Sequence, residues 1–268
     1  MENITVFCAL VTLAFITAAI SSTTGMGGIF LLAGMYALID DIAIVLPLHA
    51  CVSMISNFTR ILTYFKYINR KAYGFFMIGS VPGLIAGTVI LSYLFPVRQL
   101  IAPYMMVFVG LFILWCTWHK SLAQANDPPL SRFILLGTYA APISLIFGAN
   151  GAVIAPHLVR KDMPRQVVVA TSTACQLSIH VLKIAIFYLF FQIKSNASPW
   201  HLLENRYFFL LVSGMIVAAL LGTLFGKNFT EKISEKTFRT IFISLTYCIA
   251  AKFMLIDGLY TIFSRYMP

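Results

Sequence analysis

The sequence predicts an all-α, polytopic membrane protein that forms a single membrane domain over residues 1–268. Hydrophobic residues make up 60% of the chain and charged residues only 10%, with a mean hydropathy of +0.88. Soluble domains, by contrast, carry roughly 25% charged residues. Apolar runs of about 20 residues, long enough to cross a bilayer as a helix, recur along the whole chain. This composition excludes a separate water-soluble domain and a catalytic module of ordinary size.

Two of the predicted helical segments are too short to cross a bilayer. The apolar segments cover approximately residues 4–22, 28–39, 42–66, 72–94, 98–118, 131–147, 152–159, 165–193, 204–226 and 237–263. The short segments, 28–39 and 152–159, each follow a glycine cluster, at residues 25–28 and 148–151. Because clustered glycines break helices, we expect each short segment to form a broken, re-entrant-like pair with the helix before it.

The chain is predicted to contain two copies of one unit. A shift of 123 residues (148 minus 25) aligns the two glycine clusters and also places Asn57 on His180 and Arg60 on Lys183. Internal similarity at a fixed spacing indicates a duplication. We therefore divide the chain into a first repeat, 1–120, and a second repeat, 130–268. Each repeat is predicted to consist of a glycine-broken helix pair followed by three transmembrane helices.

The basic residues between the apolar segments predict the orientation of the two repeats. If each broken pair returns to the side from which it enters, one side holds twelve of them: Lys66, Arg70, Lys71, Lys120, Arg132, Arg160, Lys161, Arg165, Lys227, Lys232, Lys236 and Arg239. The other side holds four: Arg98, Lys194, Arg206 and Arg265. The positive-inside rule then places the richer side in the cytoplasm and both termini outside the inner membrane. The repeats are consequently inverted, as in many secondary transporters.

The glycine clusters are the first candidate binding elements. Backbone that leaves a helix inside lipid needs a cavity or protein around it, and the N-terminus of the following half-helix offers free N–H groups to an anion. On this basis we predict a site that includes the residues Gly25, Gly27, Gly28, Gly148, Asn150 and Gly151. Close helix packing through small residues is the alternative explanation for each cluster.

Polar stripes on the two long helices that follow are the second candidate elements. At helical spacing, one face carries His49, Ser53, Ser56, Asn57 and Arg60, and the matching face carries Ser172, Gln176, His180 and Lys183. Charged residues this deep usually face a bundle interior or a water-filled path. Snorkelling is the alternative for Arg60, and a structural role is the alternative for the histidines. Because Lys183 lies deeper, we expect its loss to weaken anion binding more than loss of Arg60.

The charge balance favours a small anion as the cargo. Asp257 is the acidic residue nearest the centre of a segment, and we expect it to pair locally with Lys252. The scarcity of buried carboxylates argues against a cation carrier. The partners predicted are therefore the anion and the lipid bilayer. We predict no nucleic-acid partner, because the basic residues cluster between apolar segments, and no cofactor or metal, because no such motif is present.

The order of these motifs resembles the sulfite exporter TauE/SafE family, also called the TSUP family. The resemblance rests on residues 21–28, on the helix from His49 to Arg60 with its basic continuation at 66–71, on residues 79–87 and on the second-half copies. It implies a permease for sulfite, organosulfonates or related sulfur-containing anions. The sequence departs from the family in its second glycine cluster, which usually contains more glycine. It also has Ile29 and Phe30 where the family often has a small residue and a proline-rich run.

Other function classes stay open at this point. Cys51 and Cys175 lie near the two stripes, which allows a thiol-assisted uptake permease for sulfur compounds. His49 and His180 could act as general bases in a membrane enzyme, although no nucleophile, metal or nucleotide motif accompanies them. A membrane scaffold is the third alternative, but a scaffold has no need for matched polar stripes inside two repeats.

Overall fold

A computed structural model describes residues 2–39, 42–118, 129–148, 150–159, 164–195 and 206–266, and every regular element within these ranges is helical. The first half contains five helices: α1 (Glu2–Thr24), α2 (Gly27–Leu38), α3 (Ile42–Tyr64), α4 (Arg70–Leu94) and α5 (Arg98–Trp118). A 3₁₀ turn, Phe65–Tyr67, follows α3, and a second, Phe95–Val97, precedes α5. The predicted loops at 119–131, 160–165 and 194–205 lie largely outside the described residues.

The second half repeats this order. It contains α6 (Ser131–Phe147), α7 (Asn150–Ile154), α8 (Arg165–Ser195), α9 (Arg206–Lys232) and α10 (Glu235–Ala251). A 3₁₀ turn, Ala155–His157, extends α7, and a π-helical stretch, Lys252–Tyr260, joins α10 to α11 (Thr261–Tyr266). Among the described residues, six helices are long and apolar enough to cross a membrane. The predicted class, an all-α polytopic membrane protein, is confirmed.

Both predicted breaks are present, and their backbones adopt the same geometry. Gly25, after α1, has φ +76°, and Gly148, after α6, has φ +72°. The N–H of Gly25 donates to the carbonyl of Ser21 (2.7 Å), and that of Gly148 donates to Ser144 (2.9 Å). Left-handed backbone of this kind ends helices and favours glycine, because a Cβ would be strained there. The short helices α2 and α7 then begin within two residues of each glycine.

The two halves interlock, because the main packing partner of most helices comes from the other half. Helix α1 packs on α9, and its counterpart α6 packs on α4. The central pair is α3 with α8, α2 touches α7, and α5 packs on the π-helical stretch. If each helix is replaced by its equivalent from the other half, the same set of helix pairs results. Burial places α3 and α8 at the centre, since 67% of each spanning window is buried, against 28–39% in the other candidate spans.

Glycines on α4 and α9 allow the outer helix pairs to approach closely. A Cβ at Gly79 would collide with the backbone of α6, and a Cβ at Gly222 or Gly226 would collide with the backbone of α1. Small residues give membrane helices this close backbone contact. The glycine-rich stretch at residues 79–87, one of the motifs that resembled the family, therefore has a packing role.

The last helix departs from the regular α-helix expected over residues 237–263. Its backbone adopts π-helical hydrogen bonding over Lys252–Tyr260, and Gly258 within it packs on Pro103 and Val107 of α5. The ammonium of Lys252 lies 2.5 Å from the carboxylate of Asp257, which confirms the predicted local pair. Apolar residues occupy most positions of this segment, so their periodicity does not distinguish the wider helix from an α-helix.

Candidate functional site

The two breaks meet at the centre of the bundle. Gly151, in α7, packs on the break between α1 and α2: a Cβ built at this position would lie 2.5 Å from the carbonyl oxygen of Gly25 and 3.0 Å from the Cα of Met26. The amide of Gln176 donates to the same carbonyl of Gly25 (2.9 Å) and to the hydroxyl of Ser172 (2.8 Å). Helix α8 of the second half thus supplies a hydrogen-bond donor to the broken backbone of the first half.

A small polar cavity lies beside this contact. Its volume is about 20 Å³, enough for about one water molecule. Among the described residues, six helices contribute to it: α1, α2, α3, α7, α8 and α9. Its lining comprises Ala14, Thr17, Ala18, Ser21, Gly28, Ile29, Leu31, His49, Val52, Ser53, Ser56, Asn57, Arg60, Gly148, Asn150, Gly151, Gln176, His180 and Ala219.

The two matched cations make equivalent contacts. The guanidinium of Arg60 donates to the carbonyl of Ser21 (2.8 Å), and the ammonium of Lys183 donates to the carbonyl of Ser144 (2.7 Å). Ser21 and Ser144 stand at equivalent positions near the C-terminal ends of α1 and α6. A cation at the C-terminal end of a helix is stabilised by the helix dipole. Here each cation gives a second hydrogen bond to a carbonyl that already accepts one from the glycine of the break. Because Arg60 is 3% exposed and Lys183 is 0% exposed, neither cation snorkels to the surface.

Only one of these cations reaches the cavity. Arg60 lines it, donates a further hydrogen bond to the side-chain oxygen of Asn57, and has no partner for its Nε among the described residues. Lys183 does not line the cavity, and its ammonium lies 5.4 Å from the ring centroid of Phe187. The structure therefore separates two residues that the repeat alignment treats as equivalent.

Two histidines meet at the cavity from opposite halves. The rings of His49 and His180 have centroids 5.7 Å apart and are inclined at 67°. Nε2 of His49 lies 2.8 Å from the carbonyl of Gly28 and 3.1 Å from the hydroxyl of Ser53. Nε2 of His180 lies 3.1 Å from the amide nitrogen of Asn150. Both Nδ1 atoms are buried and have no hydrogen-bond partner among the described residues.

The structure brings most of the fifteen residues of the glycine clusters and the polar stripes to one place. Eleven of them line the cavity: Gly28, His49, Ser53, Ser56, Asn57, Arg60, Gly148, Asn150, Gly151, Gln176 and His180. The other four surround it. Gly25 and Ser172 form the backbone contact around Gln176, Gly27 packs against the backbone of Thr17 in α1, and Lys183 holds the end of α6.

Sequence reasoning missed the contribution of α1. Ala14, Thr17, Ala18 and Ser21 place small and polar side chains against the cavity. Their spacing, at i, i+3, i+4 and i+7, is the signal that could have identified this face. The hydroxyl of Ser56, part of the α3 stripe, forms a hydrogen bond of 3.0 Å with Thr223 of α9, which links the cavity wall to the outer pair α1 and α9.

The chemistry of the lining favours an anion. The cavity presents a guanidinium, hydroxyls and amides, and within the described part of the chain no carboxylate lines it. Cys51 is half-buried and Cys175 is buried, but neither thiol lines the cavity. No group of three or more His, Cys, Asp or Glu residues in the described ranges is placed to hold a metal ion.

Comparison with known proteins identifies the family. The family model described as "Sulfite exporter TauE/SafE" matches residues 10–253. Among curated proteins and among solved structures, nothing matches the chain. The family match covers both glycine-broken pairs, the cavity and the helices around it. The chain therefore belongs to the sulfite exporter TauE/SafE family.

Proposed function

We propose that this protein is an inner-membrane permease that moves sulfite, an organosulfonate or a related small sulfur-containing anion by alternating access through the central cavity. Its family makes it a multi-pass membrane transporter of sulfur-containing anions in general. The observation that carries the finer proposal is the meeting of two glycine-broken helix pairs at a buried polar cavity lined by Arg60. In transporters with discontinuous helices, the substrate binds at such a meeting point.

The lining residues supply what a dehydrated anion needs. An anion that leaves water must regain hydrogen bonds from the protein, and a charged donor gives the strongest ones. Arg60 provides the fixed positive charge. Gly28 places the first turn of α2 at the cavity, where backbone N–H groups and the positive end of the helix dipole favour negative charge. The amides and hydroxyls around them complete a site for oxyanions.

In this conformation the cavity has room for about one water molecule. Binding of the anion requires the helices around the cavity to separate. The packing of each half on the other supports a rocking motion. Helix α1 with α9 and helix α4 with α6 form two similar pairs outside the central α3 and α8. Inverted repeats supply two equivalent end states for that motion.

Ligand stabilisation and flux test the proposed substrate class. Purified protein is heated with sulfite, thiosulfate, sulfate, methanesulfonate, taurine or a carboxylate, because a bound ligand raises the melting temperature by mass action. We expect selective stabilisation by one or more sulfur anions, and uptake of the same radiolabelled anion into proteoliposomes. Stabilisation by carboxylates alone, or no flux of any sulfur anion, would contradict the proposal.

Labelling of single cysteines tests the inverted topology. Lys66→Cys lies on an exposed turn after α3, and Ser198→Cys lies in the loop that the charge pattern places outside. In intact cells, a membrane-impermeant thiol reagent is expected to label position 198 and to leave position 66 unlabelled until the cells are opened. Because Cys8 and Cys248 are exposed, the native cysteines are first replaced by serine. Labelling of both positions from one side excludes the proposed arrangement.

A further inference from the structure

The hydrogen bonds of His49 determine where its neutral ring carries the proton. Nε2 lies 2.8 Å from the carbonyl oxygen of Gly28. A carbonyl oxygen only accepts, so Nε2 must be the donor. Nδ1 of the neutral ring is then a bare lone pair. This atom is buried, has no partner among the described residues and belongs to a side chain that lines the cavity.

His180 carries its proton on the opposite nitrogen. Its Nε2 accepts a hydrogen bond from the side-chain amide of Asn150 (3.1 Å), which leaves the proton on Nδ1. This Nδ1–H is also buried and without a partner in the described chain. Two adjacent rings at one cavity therefore offer complementary atoms: His180 offers an unused donor for an anion, and His49 offers an unused acceptor for a proton.

The charges around the pair are positive. Helix α3 contributes Arg60 and helix α8 contributes Lys183, and both interact electrostatically with His180. The elements α1, α2, α7 and α9 present hydroxyls, an amide and backbone groups to the cavity, and no described carboxylate faces it. A proton added to His49 in the empty cavity would place a third positive charge in a buried site, which is costly. A bound anion removes that cost.

We propose that the cavity takes up one proton, at Nδ1 of His49, together with the anion, so that the two bind and cross the membrane as a pair. This inference rests on the proposed function and adds the coupling ion to it. The proton comes from bulk water and forms a new N–H bond at Nδ1. The existing Nε2–H bond and its hydrogen bond to Gly28 are kept, and the ring becomes an imidazolium. The proton leaves for water on the other side when the anion leaves.

Thermodynamic linkage makes the coupling reciprocal. If the anion favours the protonated ring, protons must strengthen anion binding by the same factor. Affinity should therefore rise as the pH falls, by up to about tenfold per pH unit within the window in which one proton is taken up. With a monoanion, the transported pair is electrically neutral, so flux should follow an imposed pH gradient and should not respond to membrane potential.

The direct test measures protons bound per anion bound. Isothermal titration of purified protein with methanesulfonate and with thiosulfate, in pairs of buffers of different ionisation enthalpy, gives this number between pH 5 and 8, where histidine titrates. Neither anion exchanges protons itself in this range. We expect about one proton per anion for the wild type. Binding of either anion with no proton uptake overturns the inference and leaves the proposed function standing, whereas binding of no sulfur anion overturns both.

Matched histidine variants locate the proton. His49→Gln should bind the anion without proton uptake and without pH dependence. His157→Gln is the control, because His157 bonds to Tyr139 (2.8 Å) and does not line the cavity. It should keep the wild-type proton uptake. Uptake that persists in His49→Gln, or that is lost in His157→Gln, contradicts the assignment to Nδ1 of His49. Because the wild-type measurement needs no variant, the proposal remains testable if His49→Gln fails to fold.

Discussion

Arg60 and Lys183 occupy matched positions in the two halves and donate to matched carbonyls, yet only Arg60 lines the cavity. The other pairs in the two stripes differ more. His49 matches Ser172, and Asn57 matches His180, so the two histidines that meet come from positions that are not equivalent. The comparison shows that both halves keep the same broken backbone and a cation that donates to the helix before the break, while their side chains at the cavity differ.

The features that the two halves share form the scaffold, and the features in which they differ lie at the cavity. Gly25 and Gly148 end their helices with nearly the same φ, and each break is held by the same serine carbonyl bond. The polar side chains that line the cavity, however, combine α1 and α3 of one half with α7 and α8 of the other. Two halves with the same order of helices can thus form a single asymmetric cavity, since the matched positions carry different side chains and only some pairs, such as Asn57 and His180, place both members at it.

The largest expected effect is that of Arg60→Ala on anion binding. Arg60 supplies the positive charge at the cavity, and hydrogen bonds to charged groups contribute about 1.5–3 kcal/mol, so we expect binding to weaken by roughly 10- to 150-fold. The affinity for the best sulfur anion in the thermal panel is measured by titration. Arg60→Lys is the matched control and should recover part of the loss. Unchanged affinity in Arg60→Ala would show that the anion does not bind at Arg60 on α3.

The second effect concerns the matched glycines. A Cβ at Gly151 would lie 2.5 Å from a backbone carbonyl, whereas a Cβ at Gly28 would make ordinary contacts of 3.5 Å with His49 and Ser53. We therefore expect Gly151→Ala to cost about 1–3 kcal/mol of stability, and Gly28→Ala to melt close to the wild type. Gly74→Ala, with no atom within 4 Å, is the control. Equal melting temperatures for all three variants would show that the two breaks are not tightly packed together.

The smallest effect on binding is expected for Lys183→Met. The depth of Lys183 in its helix predicted that its loss would be the more damaging one, whereas the cavity geometry leads us to expect the opposite order. Methionine keeps the length of the side chain and removes the donor to Ser144, so stability should fall by about 1–3 kcal/mol, with binding changed by less than about threefold. Melting temperature and anion affinity are measured on the same preparation. A larger loss of affinity than in Arg60→Ala would show that Lys183 takes part in anion binding.

Local sequence patterns were sufficient for the helices, the breaks and eleven of the cavity residues. Deep polar side chains in a bilayer must face protein or water, so the stripe from His49 to Arg60 identified the interior face of α3 without any structure. The π-helical stretch around Asp257 and the cavity face of α1 were missed. The π-helical stretch differs from an α-helix in its hydrogen bonding and its width, which the order of apolar residues does not reveal. The cavity face of α1 consists of small residues, and hydropathy does not tell residues that line a cavity from residues that pack against a helix.

The sequence by itself determined a helical membrane protein with two glycine-broken pairs and two buried cations. Uninterrupted apolar runs can satisfy their backbone only as helices, and clustered glycines interrupt them. Only the tertiary structure decided that Arg60 lines the cavity while Lys183 holds a helix end, and that His49 meets His180. Periodicity assigns a side chain to one face of its own helix. The helix faces that come into contact with one another depend on how α3 and α8 pack against the breaks of the opposite half.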